Sequence, residues 1–202
     1  MESKYRQEKI ILAIALCFIF CGCSKPNPIA DKQSLPTDIR NGDVICRLGN
    51  GFFSNQFKKC SVKEKIYSHA GIIRLSADSI FVIHAEASEL TGIGSVKKEN
   101  ISDFLENIKI WGVYRLSAED STRDKIASKA EEYYLKNTPF DLDFDAENDS
   151  KVYCTELIAL SVNYAFGDSI IKPTFMVGDK KIYGIDDVYL LPNMETVKKV
   201  TN

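Results

Sequence analysis

The chain has 202 residues, enough for one domain with a substantial core plus a leader segment. Apolar content of 45% and charged content of 27% are those of a globular protein and exclude a chain that is disordered or membrane-embedded throughout. Basic and acidic residues nearly balance at 26 against 28, and pairs such as Lys58-Lys59 and Lys198-Lys199 are scattered, so no basic face argues for a nucleic-acid partner.

Met1 to Lys9 is polar and net basic, with Lys4, Arg6 and Lys9. Ile10 to Phe20 is an unbroken apolar run of eleven residues, too short for a membrane span of about twenty. A basic start, a short apolar stretch and then small residues make an export signal. Its end, Phe20-Cys21-Gly22-Cys23, resembles the lipobox of bacterial lipoproteins, with Phe20 where Leu is usual. The resemblance implies that Cys23 is lipidated and that the mature protein is held to a membrane of the cell envelope by its lipid anchor, on the periplasmic side or in the outer membrane. Ser24 to Thr37 carries Pro26, Pro28 and Pro36 and reads as a flexible tether. The expected organisation is therefore a signal segment over 1–23, a tether over 24–37 and one domain over 38–202.

Within that domain Asn41-Gly42-Asp43 is a turn signal, with Asp43 read as a turn residue, and Val44 to Leu48 follows as a strand. Phe52 to Lys59 is ambiguous. His69 to Leu75 and Ser79 to Ala85 are strands joined by a turn at Ala77-Asp78, hence an antiparallel hairpin. Ser95 to Lys98 is a further short strand, and Ile101 to Asn107 a short helix capped by Asn100 or Ser102. Ile108 to Leu116 is a strong strand. Ser121 to Lys136, capped by Asp120 or Ser121, is the clearest helix, with Ile126, Ala130, Tyr133 and Tyr134 at helical spacing. Cys154 to Phe166 is the second, with Gly167 ending it. Short pieces near Ile182 to Ile185 and Val188 to Leu191 close the chain. Strands, then helices, then short strands indicate an α+β class.

Of six cysteines, Cys46, Cys60 and Cys154 lie in the domain, so at least one thiol stays unpaired within it. Cys46 and Cys60 could bridge in an oxidising compartment or be small buried apolar residues. The acidic run Asp141, Asp143, Asp145, Glu147 and Asp149 lacks the Gly and Glu that a calcium loop needs at its sixth and twelfth positions, and reads as a solvated loop. No zinc spacing and no phosphate-binding Gly-rich loop occurs, so neither metal nor cofactor is expected.

Two histidines exist, His69 and His84, one on each arm of the hairpin, which brings a base and its orienting partner onto neighbouring strands. Cys154 begins a helix, where partial positive charge and a nearby imidazolium favour the thiolate and free backbone N–H groups can receive an oxyanion. Tyr153, beside it, is a candidate for lining the site or contacting the oxyanion.

Ser68-His69-Ala70-Gly71-Ile72-Ile73 resembles the histidine strand of papain-like enzymes in the NlpC-type superfamily, and Tyr153-Cys154-Thr155-Glu156-Leu157 their nucleophile helix. Histidine precedes cysteine, the order of the circularly permuted branch that includes the YiiX/YaeF-like proteins and lecithin retinol acyltransferase. Asn41-Gly42-Asp43-Val44-Ile45 is similar to the opening strand of the YiiX-like group, and Phe140-Asp141-Leu142-Asp143-Phe144 to the loop before its nucleophile. The resemblance implies a permuted papain-like fold, an antiparallel sheet or barrel packed on helices with the nucleophile at a helix N-terminus. It implies Cys154 as nucleophile and His69 as base. It puts the third catalytic residue at His84, with Glu86, on the same strand face, as the alternative. The function implied is a cell-envelope cysteine hydrolase that cleaves an amide or ester through a thioester, its substrate a small molecule, a cell-wall peptide or an acyl or lipid conjugate. Acyl transfer on the same fold, and a ligand-binding lipoprotein without catalysis, are the rival readings.

Overall fold

The structure is a computed structural model and describes residues 34–51, 54–146 and 148–201. The export signal, Cys23, most of the tether and Glu147 lie outside the described residues. The compact unit described below begins at Pro36.

Six strands form one antiparallel sheet in the order β4-β3-β2-β1-β5-β8. They are β1 (Val44–Arg47), β2 (His69–Ser76), β3 (Ser79–Ala87), β4 (Gly94–Asn100), β5 (Trp111–Leu116) and β8 (Met194–Val200). Between them lie the helices α1 (Ser54–Phe57), α2 (Ile101–Phe104), α3 (Asp120–Leu135) and α4 (Cys154–Phe166). A separate hairpin, β6 (Phe175–Val177) and β7 (Lys180–Ile182), precedes a 3-10 turn over Ile185–Val188. Helix α3 packs on α4, and α4 lies against β2 and β3. Ile72, Ile83, Ile126, Leu157 and Ile158 are fully buried in the core between these layers. By strand alternation the neighbours His69, Gly71, Val82 and His84 turn to the other face, where Phe104 of α2 covers the two histidines.

The turn before β1 has a specific build. Gly42 has φ 78°, and a Cβ there would lie 2.6 Å from the carbonyl oxygen of Arg123. The buried Asp43 carboxylate accepts from Arg40 N at 2.9 Å and from Arg115 Nε and Nη2 at 2.8 and 2.7 Å. Asp43 thus closes the turn and also locks β1 to β5 through a two-pronged ion pair.

Several expectations need correction. The short helix ends at Phe104 rather than Asn107, and β5 starts at Trp111 rather than Ile108. The N-cap of α3 is Glu119, with no side-chain cap. The expected pieces at 182–185 and 188–191 are a hairpin end and a 3-10 turn, while the true last strand, β8, pairs at the sheet edge with β5. Its alternation is blurred because an edge strand exposes Glu195, Thr196 and Lys198 in part. Cys46 and Cys60 are not bridged: Cys46 is fully buried on β1, and the half-buried Cys60 thiol lies near the carbonyl of Gln56. Asp141 is not solvated either. It is 2% exposed and accepts from the amides of Asp143 and Asp145 at 2.9 and 2.6 Å, which folds the acidic loop over its own carboxylate.

Candidate active site

Cys154 is the first residue of α4, after Tyr153 in extended conformation. The Tyr153 amide donates to Glu156 Oε2 at 3.2 Å, so the helix start is capped from within its own first turn. The β2–β3 ladder ends at Ile72↔Ile83, two residues short of Ala70. The Ala70 N–H, left free by that ladder, and the N–H groups of Thr155 and Cys154 act on the Cys154 thiol in favour of its charged form. Three backbone donors around one sulfur are suited to a thiolate or to the oxyanion of an acyl adduct. They do not make a resting thiolate. Burial pushes the Cys154 thiol up to about 11, and the negative charge of Glu86 adds to that, so the lowering expected from the helix N-terminus is outweighed.

His69 lies immediately before Ala70 and opens partly onto the same cleft. Its Nε2 is 2.8 Å from Nδ1 of His84, which is fully buried. Burial holds the His69 imidazole well below its usual range, and the charges of His84, Arg47 and Lys97 act in the same direction. Resting thiol and imidazole are therefore both neutral. The close approach of the rings depends on Gly71. A Cβ at that position would lie 2.5 Å from Val82 Cγ1 and 3.1 Å from His84 Cβ, so any side chain would push β3 and its histidine away.

The other candidate third residue is engaged elsewhere. Glu86 Oε1 takes Arg47 Nη2 at 3.0 Å and Oε2 takes Lys97 Nζ at 3.0 Å. Arg47 lies over the Phe104 ring, 4.1 Å from its centre, and also donates to the Phe104 carbonyl. Sequence reasoning missed Arg47, and it missed Glu99 on β4. Glu99 Oε1 lies 3.0 Å from His84 Nε2 but off the line of the ring N–H. The contact with His84 holds the Glu99 carboxyl below the usual glutamate range. The available signal was strand pairing, because Glu99 sits opposite Val82 and Lys97 opposite His84 on one face. Among the described residues, His69, His84 and Glu86 are the one set of possible metal ligands whose donor atoms lie within 4.8 Å of one another.

The cleft beside these residues has a volume of about 730 Å³. An aromatic row lines it: Phe57 to Phe144 at 6.0 Å between ring centres, Phe144 to Tyr153 at 5.1 Å, Tyr153 to Tyr183 at 6.5 Å. Tyr153 lines the site with its ring. Its hydroxyl oxygen accepts from Tyr183 N at 2.8 Å, leaving the O–H proton as the group it could offer an oxyanion. Its amide is already committed to Glu156.

Residues 38–187 match the family model described as permuted papain-like amidase enzyme, YaeF/YiiX, C92 family. Among solved structures the chain is similar to the protein described as metalloprotein yiiX from Escherichia coli O157:H7. The TM-score is 0.66 and the sequence identity 17%, over 81% of this chain and 98% of that one. No curated protein matches the chain.

Proposed function

Because the chain belongs to the YaeF/YiiX, C92 family of permuted papain-like amidases and is a cysteine amidase of that fold, we propose that it cleaves an amide or ester through a thioester on Cys154, with His69 as base. The observation that carries this reading is the placement of the His69–His84 pair, joined at 2.8 Å, with His69 lining the same cleft as Cys154.

In the proposed reaction His69 takes the thiol proton as Sγ attacks the carbonyl carbon. The oxygen that becomes negative meets backbone N–H groups at the start of α4. The bond to the leaving group then breaks, and His69 returns the proton to the departing nitrogen or oxygen. Water attacks the thioester, again losing its proton to His69. The C–S bond breaks, and the acid leaves as the thiol is restored. The aromatic wall, with Ile182 and Ile185, favours an apolar acyl half over the charged stem of a cell-wall peptide. Water as acceptor gives a hydrolase, and a bound alcohol or amine in its place would give acyl transfer.

The Escherichia coli relative is described as a metalloprotein. In this chain His69, His84 and Glu86 do not fit an ion as they stand. The two ring nitrogens share one proton, and both Glu86 oxygens are held by cations. No step of the proposed reaction is routed through a metal. We also place the enzyme at the cell envelope on a lipid carried by Cys23. A Cys23→Ser change should then move it from the membrane fraction to the soluble one.

The test of the reaction is a thiol-directed acyl probe followed by peptide mass spectrometry. The adduct is expected on Cys154 and lost in Cys154→Ala with the fold intact. An adduct on the more accessible Cys60 alone would overturn the assignment.

A further inference from the structure

We propose that Glu99 is a positioning residue that selects the tautomers of both histidines and thereby leaves His69 a lone pair on Nδ1. The proposal rests on His69 acting as the base, and it adds a residue that neither the motifs nor the family description assign.

His84 is fully buried, and its Nε2 has no well-aligned hydrogen-bond partner among the described residues. The group that faces it is the Glu99 carboxylate, at 3.0 Å. Strand register puts it there, since Glu99 pairs opposite Val82 and lies diagonal to His84 on the same face. An ionised carboxylate can only accept. It therefore favours the His84 ring that carries its proton on Nε2, and a small rotation of the carboxylate would straighten that contact. A neutral ring protonated on Nε2 has its lone pair on Nδ1. At 2.8 Å, that lone pair is met by a proton on His69 Nε2. His69 is then left with a lone pair on Nδ1, its remaining nitrogen.

Without the carboxylate the pair has a second, equally short arrangement. His84 would carry its proton on Nδ1 and donate it to His69 Nε2, and His69 would hold its own proton on Nδ1 and be useless there as a base. The other charged groups around the pair do not make the choice. Arg47 and Lys97 are donors only, and Glu86 is bonded to both of them.

The chain has two histidines, so ring signals of an untagged, nitrogen-15-labelled protein have only two owners. Long-range proton–nitrogen spectra at a pH where both rings are neutral should show both as Nε2–H tautomers. Finding the His84 proton on Nδ1 in the wild-type protein would overturn the proposal without any variant. Glu99→Ala should give mixed tautomers and lower kcat on p-nitrophenyl acetate about tenfold or more, with KM within about twofold. Glu99→Gln, whose Oε1 can still accept from Nε2–H, should recover wild-type tautomers and most of kcat. A residue that merely props β4 would change thermal stability and leave the tautomers alone, and that result, or a Gln variant no better than Ala, would sink the idea. The spectra need no substrate. Wild-type tautomers as expected, together with an unreactive Cys154, would therefore refute the catalytic reading and leave the Glu99 effect standing.

Discussion

His69 Nε2 and His84 Nδ1 face each other at 2.8 Å across rings inclined at 88°, so the proposed base is held by a second imidazole rather than by a carboxylate. A neutral partner orients the base but adds little stabilisation to an imidazolium beside it. Glu86, the carboxylate nearest in sequence, is instead part of a cationic clamp with Arg47 and Lys97. His84→Leu is expected to lower kcat on p-nitrophenyl acetate about 10²-fold, the scale of lost acid–base positioning. Glu86→Gln, which removes a half-exposed charge pair, should leave kcat within about threefold. Steady-state rates of the two variants side by side decide between the residues, and the reverse ranking would reassign the third position.

Cys154 has its thiol pushed up to about 11 by burial, and His69 is held below its usual range by burial and nearby cations. The reactive species for alkylation is the thiolate. The iodoacetamide rate at Cys154 should thus climb about tenfold per pH unit from 7 to 10, with no plateau at acid or neutral pH. An early plateau would mean a preformed thiolate–imidazolium pair. The sign for stability also follows. The folded state disfavours His69 imidazolium, so the unfolded chain binds the extra proton and stability is lost as the pH falls below about 6.5.

Glu156 is fully buried, with one oxygen capping α4 and the other without a hydrogen-bond partner among the described residues. Burial raises its carboxyl to about 8, and the charges of Asp141, Asp149 and Asp145 contribute. A raised acid is favoured in its neutral form by the fold, so stability is lost as the pH rises from about 4.5 through 8. Glu156→Gln keeps an acceptor for the Tyr153 amide and removes the ionisation. Between pH 5 and 8.5 the wild-type melting temperature should fall by about 5 °C or more relative to the variant's, a difference that cancels the His69 contribution common to both. Parallel curves would show that Glu156 does not titrate in this range.

Local patterns carried far in this chain. The alternation of β2 and β3 about Ala77-Asp78, the Gly71 next to a histidine, and the capped apolar face of α4 were legible because each depends on residues close in sequence. Element ends and β8 were less legible, since a strand at a sheet edge is defined by its neighbour β5 and not by its own alternation.

By itself the sequence determined the fold class, the order histidine before cysteine, and the candidates His69, His84 and Cys154, of which His69 and Cys154 line one cleft while the buried His84 lies against His69, because motif residues and strand periodicity are local properties. Only the tertiary structure decided the rest. It put His84 rather than Glu86 against His69, placed Arg47 and Glu99 beside them, and turned Cys154 from an expected thiolate into a buried neutral thiol. Those outcomes depend on register across three strands and on how completely water is excluded, and neither quantity is written in a stretch of neighbouring residues.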